Sequence, residues 1–430
     1  MPKGHNPLDR CQFLDTLSRL KQADDVLASL GWNTNKLHKK YMQAASCLLA
    51  NVWLMSARED CHYLAISQRP DNYTRNRYQS EGIGYRPLVQ KVLPDFLSRG
   101  LLKKVRGFIE RDELGFGTGR RSRFEPSAVL LTTLLESQVT VEDVDFGNPE
   151  VIRLRGPKPR RAYRRENEAK PSGSLIDYQD TKQTNHMRED LLRYNEFVST
   201  FQIEFPEDLQ PANRTGTRFH RVFNEDFDHG GRLVGHWFQG ISSENRQHLR
   251  LNGEEVTELD FSNMNVHLLY SQIDQCWNQG DAYDLQDSIA SPISRELGKY
   301  GFLIAMSIAN RRGFGRALKE QIRRKGYSES QINGKYGFNS MRVLEALERK
   351  HSRVKHLFFD PKRGLRCMKM ESSIMQKVLS VLAGAYGVPA LPMHDGVIVR
   401  KSDQDAARET MWLAYKGAGH TSRPEIKIEF

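Results

Sequence analysis

Cysteine is scarce in this chain: the 430 residues contain five, an odd number, and they are scattered. None forms a Cys-x-x-Cys pair or has the spacing of a zinc site, which argues against a disulfide-stapled fold and against a zinc finger. We expect reduced and mostly packed thiols at Cys11, Cys47, Cys61, Cys276 and Cys367.

Long apolar runs are also missing. No stretch approaches the roughly 18 consecutive apolar residues of a membrane-spanning helix. The first residues, MPKGHNPLDRCQF, lack the apolar segment of a signal peptide, so we expect a cytoplasmic protein with no membrane partner. The 38% hydrophobic and 27% charged residues are typical of a soluble globular protein, and 430 residues allow roughly two or three domains.

Acidic residues are outnumbered by basic ones. The chain has 53 Asp and Glu against 64 Lys and Arg, for a net charge of +11 and a pI near 9.3. This balance suits a polyanionic partner, because each phosphate that a protein neutralises releases a counterion. The charge becomes informative once it is located along the chain.

The N-terminal third predicts helices followed by a basic hairpin. Residues 7–66 have a helical pattern, with apolar residues at helical spacing over 11–30 and 37–57. A helix over 88–99 stops at a glycine and is followed by a strand, a glycine-rich basic hairpin and a second strand. This is the layout of a winged-helix module, whose hairpin contacts phosphates. The contacts would come from Lys103, Lys104, Arg106, Arg120, Arg121 and Arg123. A solvated basic hairpin is the alternative.

A basic stretch separates this region from the rest. Residues 153–172, RLRGPKPRRAYRRENEAKPS, are rich in Arg, Lys and Pro and poor in apolar residues, which predicts a linker or a flexible arm. We therefore expect a helical and winged-helix-like nucleic-acid-binding region over 1–135, a basic linker over 136–185 and a core over 186–430.

Two acids occupy positions that suit metal binding. Asn252-Gly253 signals a hairpin turn, after which EEVTELDFS alternates as a strand that delivers Asp260 at its end, just before a helix. Further on, a strand, a tight His394-Asp395-Gly396 turn and a returning strand place the second acid at a hairpin tip. If the strands are adjacent, both carboxylates can hold two Mg²⁺ ions for an in-line phosphoryl transfer.

A helix between these acids carries paired cations. Arg295 and Lys299 are four residues apart in SRELGKYGFLIAMSIAN, and therefore lie on one face of a helix that we expect to reach about Asn310. Facing two carboxylates, these cations could bind a triphosphate and neutralise charge as pyrophosphate leaves. Alone, the pair would more simply be a solvated helix face.

Taken together, these segments resemble the A-family DNA polymerases and the related single-subunit phage RNA polymerases. The similar region covers about 230–400, and its motifs occur in the family's order. GRL followed by QGI resembles the template-strand segment, LDFSNMN resembles motif A, and MHD resembles motif C. Arg295-x3-Lys299 resembles the start of motif B, the fingers helix, and MESSIMQKVL is similar to the family's MQGTAADII helix.

The resemblance implies a role for each matching residue. Asp260 and Asp395 would be the catalytic metal ligands, together with the Phe261 carbonyl. Arg295 and Lys299 would bind the incoming nucleotide, with Asn265 and Leu303 at the gate and ring positions of that site. The primer-template contacts would come from Arg232, Gln239, Glu371 and His394.

The sequence also departs from the family pattern. The gate position holds Asn265 instead of Glu, and the expected ring is Leu303, with Phe302 one step away. The usual Tyr-Gly at the end of the fingers helix is Ser307-Ile308, and the residue after Asp395 is glycine instead of Glu. The choice between deoxyribose and ribose therefore stays open, and an RNA polymerase or primase-like activity is an alternative.

The expected architecture is α+β: a right-hand-like palm and fingers with an antiparallel palm sheet, preceded by the helical, winged-helix-like region. The expected function is template-directed extension of a DNA primer, with two Mg²⁺ ions (or Mn²⁺), nucleoside triphosphates and a primer-template duplex. Its compact form is similar to polymerases of phages and mobile elements, and nothing before residue 215 supplies a proofreading exonuclease. A non-catalytic DNA-binding replication initiator and a two-metal nuclease are the competing function classes.

Overall fold

The computed structural model describes residues 11–57, 61–73, 77–79, 82–111, 117–120, 122–140, 143–145, 147, 149–158, 173–206, 209, 216–289, 291–327, 339–420 and 422–430. The chain divides into two compact units. The first comprises residues 1–150 and 211–215, and the second comprises 151–210 and 216–430.

The first unit combines helices with a four-stranded sheet of order β1-β3-β7-β4. Strand β7 pairs antiparallel with both β3 and β4, whereas β1 runs parallel to β3. The strands are β1 Cys11–Phe13, β2 Arg19–Leu20, β3 Tyr63–Ala65, β4 Leu102–Val105, β5 Phe108–Arg111, β6 Gly117–Arg120, β7 Arg123–Pro126 and β8 Val144–Asp145. The helices are α1 Ala23–Ser29, α2 Lys39–Ser56, α3 Tyr85–Pro87, α4 Leu93–Ser98 and α5 Ala128–Glu136.

Helix α2 forms the centre of the first unit. Every residue from Ala44 to Val52 is buried, so the helix is enclosed on all sides, and its sequence is correspondingly apolar all round. The predicted helix over 37–57 is confirmed. The predicted helix over 11–30 is wrong except for α1, because residues 11–13 and 19–20 pair as strands with β3 and β8. Those partners lie far along the chain, where local periodicity carries no information about them.

The predicted helix and basic hairpin occur in the expected order. A π-helical turn, Leu88–Val92, joins α3 to α4, and Gly100 leaves the helix with a φ of +69°. β4 follows, then the antiparallel hairpin of β5 and β6, and then β7, which returns to pair with β4 and β3. The hairpin thus extends from the end of an antiparallel sheet.

The second unit contains two sheets and eight described α-helices. A six-stranded sheet has the order β10-β13-β14-β16-β15 with β17 also on β14, and a three-stranded sheet has the order β12-β11-β9. The strands are β9 Ile152–Arg155, β10 Ile203–Glu204, β11 His220–Asn224, β12 Asp226–Val234, β13 Arg250–Leu251, β14 Glu254–Phe261, β15 Leu391–Met393, β16 Gly396–Arg400 and β17 Ile426–Ile428. The helices are α6 Lys182–Ser199, α7 Ser243–Arg246, α8 Met264–Ser271, α9 Ser294–Ala305, α10 Phe314–Arg324, α11 Ser340–Lys350, α12 Pro361–Val381 and α13 Gln404–Gly417.

The boundary between the units differs from the predicted linker over 136–185. Strand β8 belongs to the first unit, and β9 pairs in parallel with β11 of the second. The apolar residues Ile152 and Leu154 are both buried and alternate with Arg153 and Arg155. These two apolar residues lie among basic ones, so the overall composition predicted a linker. Their burial instead makes the segment a strand. Residues 159–172 lie outside the described part of the chain.

Helix α12 packs against strand β12 and against helices α8 and α13. Its start is specified locally: the Asp360 side chain accepts from the Lys362 N–H at 3.0 Å, and Pro361 occupies the first turn. Cys367, Ile374 and Val378 are buried in the common core. The mixture of helices and largely antiparallel sheets agrees with the expected α+β class. Among the described helices, none is both long and apolar enough to cross a membrane.

Candidate active site

Two acids from distant parts of the chain meet on neighbouring strands. Asp260 is the penultimate residue of β14, and Asp395 lies in the two-residue turn between β15 and β16. β14 and β16 pair antiparallel with Asp260 opposite Gly396. The Phe261 N–H donates to the Asp395 carbonyl oxygen at 3.4 Å. The strand register therefore brings the two acids together at one end of the sheet, as the sequence predicted.

Local turns explain why these strands end where they do. Asn252 and Gly253 both have positive φ, 51° and 80°, as a two-residue hairpin turn of type I′ requires. The second hairpin turns at His394, whose φ is 56°. After β14 the chain passes through Asn263, also left-handed at 56°, and enters α8. Asp260 thus lies one residue before the end of the strand, close to the point where the backbone turns away.

The site concentrates negative charge. Burial, together with the charges of Asp395, Glu258 and Glu429, raises the pKa of Asp260 to about 8, against the opposing charge of Lys299. The Glu258 carboxylate is held by the Arg246 guanidinium through two hydrogen bonds of 2.7 and 2.8 Å. A carboxylate in these surroundings is stabilised by a nearby cation.

The oxygen atoms present fit a hard divalent cation. Mg²⁺ and Mn²⁺ prefer carboxylate and carbonyl oxygens, and Asp260 and Asp395 supply two carboxylates. Phe261 follows Asp260 directly, and its N–H donates to the Asp395 carbonyl, so its own carbonyl is the third candidate oxygen. In the described parts of the chain, no three or more His, Cys, Asp or Glu side chains are grouped to hold a metal. The candidate ligands are these two side chains and one carbonyl.

Helix α9 carries the two cationic side chains that the sequence predicted to bind the nucleotide triphosphate. Lys299 is exposed and Arg295 is half-buried, one turn apart on the same face. The Arg295 Nε atom lies 2.5 Å from an Asp281 carboxylate oxygen. Leu303, a further turn along, is partly buried against the core. Phe302 is fully buried, so its ring belongs to the core.

Helix α9 is shorter than predicted and ends at Ala305 instead of about Asn310. The carbonyls of its last turn are taken by another segment: the Phe359 N–H donates to the Ala305 carbonyl at 2.7 Å, and the Gly364 N–H donates to the Met306 carbonyl at 3.2 Å. Ser307-Ile308 therefore lies beyond the helix. These tertiary hydrogen bonds stop a helix whose sequence gives no local stop signal.

Two side chains of the site were missed by sequence reasoning, Asp281 and Arg246. Neither has a periodic or motif signal, because each belongs to the site through a tertiary ion pair. Tyr283, two residues after Asp281, is 5% exposed. Burial raises its pKa, and the charges of Asp395 and Asp281 raise it further. The Tyr283 side chain therefore lies close enough to Asp395 and Asp281 for their charges to act on it.

Two of the predicted primer-template residues, Arg232 and Glu371, form a partly buried ion pair. Arg232 of β12 binds Glu371 of α12 through its Nε and Nη2 atoms, at 2.6 and 2.5 Å from the carboxylate oxygens. Glu371 is fully buried. Burial raises its pKa to about 7 although Arg232 opposes this shift. In this arrangement the carboxylate is turned towards Arg232 and away from solvent.

The other two primer-template candidates lie at the β15–β16 hairpin. The Gln239 amide donates to the carbonyls of Leu233 and Pro392, both at 3.1 Å, and so ties β12 to β15. His394 is exposed at the turn. Although the residue is exposed overall, partial desolvation of its ring by neighbouring atoms and the nearby Arg232 charge lower the pKa of His394. Asn265, the gate candidate, is half-buried in the first turn of α8.

The residues of the first unit that were predicted to contact phosphates differ from one another in their exposure to solvent. Lys103 and Lys104 of β4 and the following Arg106 are exposed. Arg123 is only 8% exposed, with its guanidinium over the Tyr63 ring at 5.0 Å from the ring centre, so its side chain belongs to the sheet packing. Arg120 ends β6, and Arg121 lies outside the described residues.

No protein-family model matches the chain, and no curated protein matches it.

Proposed function

We propose that the chain is a template-directed nucleotidyltransferase that extends a DNA primer by two-metal phosphoryl transfer. The observation that carries this proposal is the pairing of β14 with β16, which puts Asp260 and Asp395 side by side at one end of an antiparallel sheet. In the proposal this sheet is the palm, and α9 to α11 are the fingers. It is a compact polymerase of the kind found in phages and mobile elements, without proofreading.

The proposed reaction is an in-line displacement at the α-phosphate of the nucleotide. The primer 3′-hydroxyl gives up its proton to water and its oxygen forms a bond to the α-phosphorus. The bond from that phosphorus to the oxygen bridging to the β-phosphorus breaks, and pyrophosphate leaves with this oxygen. Asp260, Asp395 and the Phe261 carbonyl would hold the metal ions. When bound, two Mg²⁺ ions supply charge stabilisation to the attacking and leaving oxygens. Arg295 and Lys299 orient the triphosphate and neutralise the charge of the departing pyrophosphate.

Two features favour a polymerase over the competing classes. A two-metal nuclease needs the carboxylates but has no use for a triphosphate-binding helix, and the charge of Lys299 acts directly on Asp260. A replication initiator with a degenerate catalytic unit would not need both acids at the end of paired strands. The retained acids and the facing cations therefore support catalysis.

The first unit suits a role in binding duplex DNA. Its helical run from Tyr85 to Ser98, its β3-β7-β4 antiparallel sheet and the projecting β5–β6 hairpin follow the layout of a winged-helix module. The exposed Lys103, Lys104 and Arg106 supply positive charge beside that hairpin. We propose that these side chains contact the phosphate backbone.

A second candidate activity is RNA polymerisation or primer synthesis. The observation that favours it is the half-buried Asn265 at the gate position. Asparagine is shorter than glutamate and leaves more room beside the sugar, and Leu303 offers no ring to fix the sugar and base. The metal-binding part of the mechanism is the same in both activities.

Primer extension with variants of both acids tests the proposal. Asp260→Asn and Asp395→Asn keep side-chain size but remove charge, and each should abolish Mg²⁺-dependent extension while DNA binding stays near the parent's. Glu255→Gln, an exposed substitution on the same strand, is the matched control and should extend normally. Reactions with dNTPs or rNTPs, with and without a primer, separate the two candidate activities. Normal extension by either Asp variant would contradict the proposal.

A further inference from the structure

The cation proposed to bind the triphosphate is already engaged by a carboxylate of the same chain. Arg295 Nε lies 2.5 Å from Asp281 Oδ2. The other oxygen, Asp281 Oδ1, accepts from the Tyr283 N–H at 2.9 Å. Asp281 lies in the loop between α8 and α9, so a local backbone hydrogen bond aims its carboxylate at the helix.

This loop crosses the face of α9 that bears the two cations. Arg295, Gly298 and Lys299 lie three and four residues apart and share that face. The Tyr283 carbonyl packs so closely on Gly298 that a Cβ atom there would lie 1.9 Å from the carbonyl oxygen. A polyphosphate that reaches Arg295 therefore meets the segment from Asp281 to Tyr283.

We propose that Asp281 competes with the nucleotide triphosphate for Arg295 and thereby sets the affinity of the chain for nucleoside triphosphates. This inference rests on the proposed function, because it needs Arg295 to bind phosphate oxygens. It assigns to Asp281 the role of a positioning residue that acts through Arg295.

The ion pair has the properties of a contact that a stronger anion displaces. Both side chains are partly exposed, 43% for Arg295 and 37% for Asp281. Ion pairs at the surface contribute little to the stability of the folded state. A triphosphate carries several negative charges and binds an arginine through paired hydrogen bonds. Lys427 also acts on the Asp281 charge, so the released carboxylate keeps a cationic neighbour.

The backbone beside Asp281 can accommodate such a release. Gly280 precedes it with a φ of +70° and has open space on the side where a Cβ would lie. The loop before it is anchored separately, because the Trp277 ring N–H donates to the Gly280 carbonyl at 2.8 Å. A small rotation at Asp281 therefore leaves the rest of the loop in place.

Direct binding of inorganic tripolyphosphate and of a dNTP with Ca²⁺, measured by calorimetry on the full chain without primer-template, tests this competition. Asp281→Asn keeps the oxygen that accepts from the Tyr283 N–H and removes the charge. It should increase the affinity for both ligands by about 2- to 5-fold, the range expected for losing one exposed competing ion pair. The matched control is Asp284→Asn, whose exposed carboxylate accepts from the Gln286 N–H and lies on the same loop. This variant should bind like the parent.

Arg295→Ala separates failure of this inference from failure of the proposed function. It should weaken tripolyphosphate binding, and Asp281→Asn added to it should give no gain. If Arg295→Ala weakens binding but Asp281→Asn leaves it unchanged or weaker, Asp281 supports Arg295 and the competition is refuted. If Arg295→Ala leaves tripolyphosphate binding unchanged, the nucleotide-binding role of α9 in the proposed function fails with it.

Discussion

Asp260 and Gly396 lie opposite each other on β14 and β16, with no room for a larger residue at the glycine. A Cβ atom on Gly396 would lie 2.6 Å from the Leu259 carbonyl oxygen and 3.0 Å from Asp260 Oδ1. The resemblance to A-family polymerases predicts Glu at this position. Close strand pairing beside Asp260 explains why this chain has glycine there, because any side chain would push the two acids apart.

Gly396→Ala should therefore damage both stability and extension. Forcing one methyl group between packed strands costs about 1–3 kcal/mol of unfolding free energy. A shift of the reacting groups by about 1 Å lowers the extension rate by about 100-fold. Thermal unfolding and primer extension measure the two effects. Gly417→Ala, at an exposed glycine at the end of α13 with nothing within 4 Å of an added Cβ, is the control. Parent-like behaviour of Gly396→Ala would show that the strands are less closely paired than described.

The buried pair of Arg232 and Glu371 should respond unequally to the loss of each partner. Arg232→Ala leaves a fully buried carboxylate uncompensated and should cost about 3–5 kcal/mol. Glu371→Gln leaves an arginine whose side chain is 26% exposed, so water can solvate it and the cost should be nearer 1–3 kcal/mol.

Denaturant unfolding of both variants and of the double variant measures this asymmetry. Adding Glu371→Gln to Arg232→Ala should recover stability, because the uncompensated charge is then removed. Equal losses for the two single variants, without recovery in the double variant, would show that the pair acts through packing and that charge is unimportant.

Sequence patterns predicted the strands that carry Asp260 and lead to Asp395, because the signals there are local. The Asn252-Gly253 turn, the alternation up to Phe261 and the tight turn at Asp395 all lie within a few residues of the element that they specify. The predicted returning strand after the turn at Asp395 is β16, which spans Gly396–Arg400. Both acids could therefore be placed at strand ends without knowledge of the rest of the fold.

The features that sequence reasoning missed depend on distant partners. Strand β9 is recognisable only through its pairing with β11, and α9 ends where the Phe359 N–H takes a helix carbonyl. Asp281 and Arg246 are in the site because of single ion pairs. No spacing rule connects these residues, so their roles follow from tertiary structure alone.

His351 should make stability fall in mild acid. Burial lowers its pKa to about 4, with a further contribution from Lys350 and an opposing one from the Ala282 carbonyl. Nε2 lies 3.0 Å from that carbonyl and therefore carries the proton, which leaves Nδ1 to accept from the Tyr270 hydroxyl at 3.4 Å. The folded state thus holds neutral imidazole, whereas the unfolded chain takes up a proton below about pH 6.5.

Because the folded pKa is depressed, this stabilisation is complete above about pH 6.5 and is lost as the pH falls towards 4. Between pH 7 and 5 the expected loss from His351 is about 2 kcal/mol. Urea unfolding at several pH values should show a smaller loss for His351→Gln than for the parent. Identical pH dependence in the two proteins would mean that His351 is not held neutral by burial.

Lys103 and Lys104 offer the most direct test of the first unit as a duplex-binding module. Both are exposed on β4, so replacing them with alanine removes two charges without disturbing the core. If each contacts one phosphate, the affinity for duplex DNA falls and the slope of log affinity against log salt becomes shallower by about 2. Lys39→Ala with Lys40→Ala, exposed at the start of α2, removes the same charge elsewhere in the unit. Equal salt slopes for the two double variants would reduce the effect to net charge and leave β4 without a specific role in DNA binding.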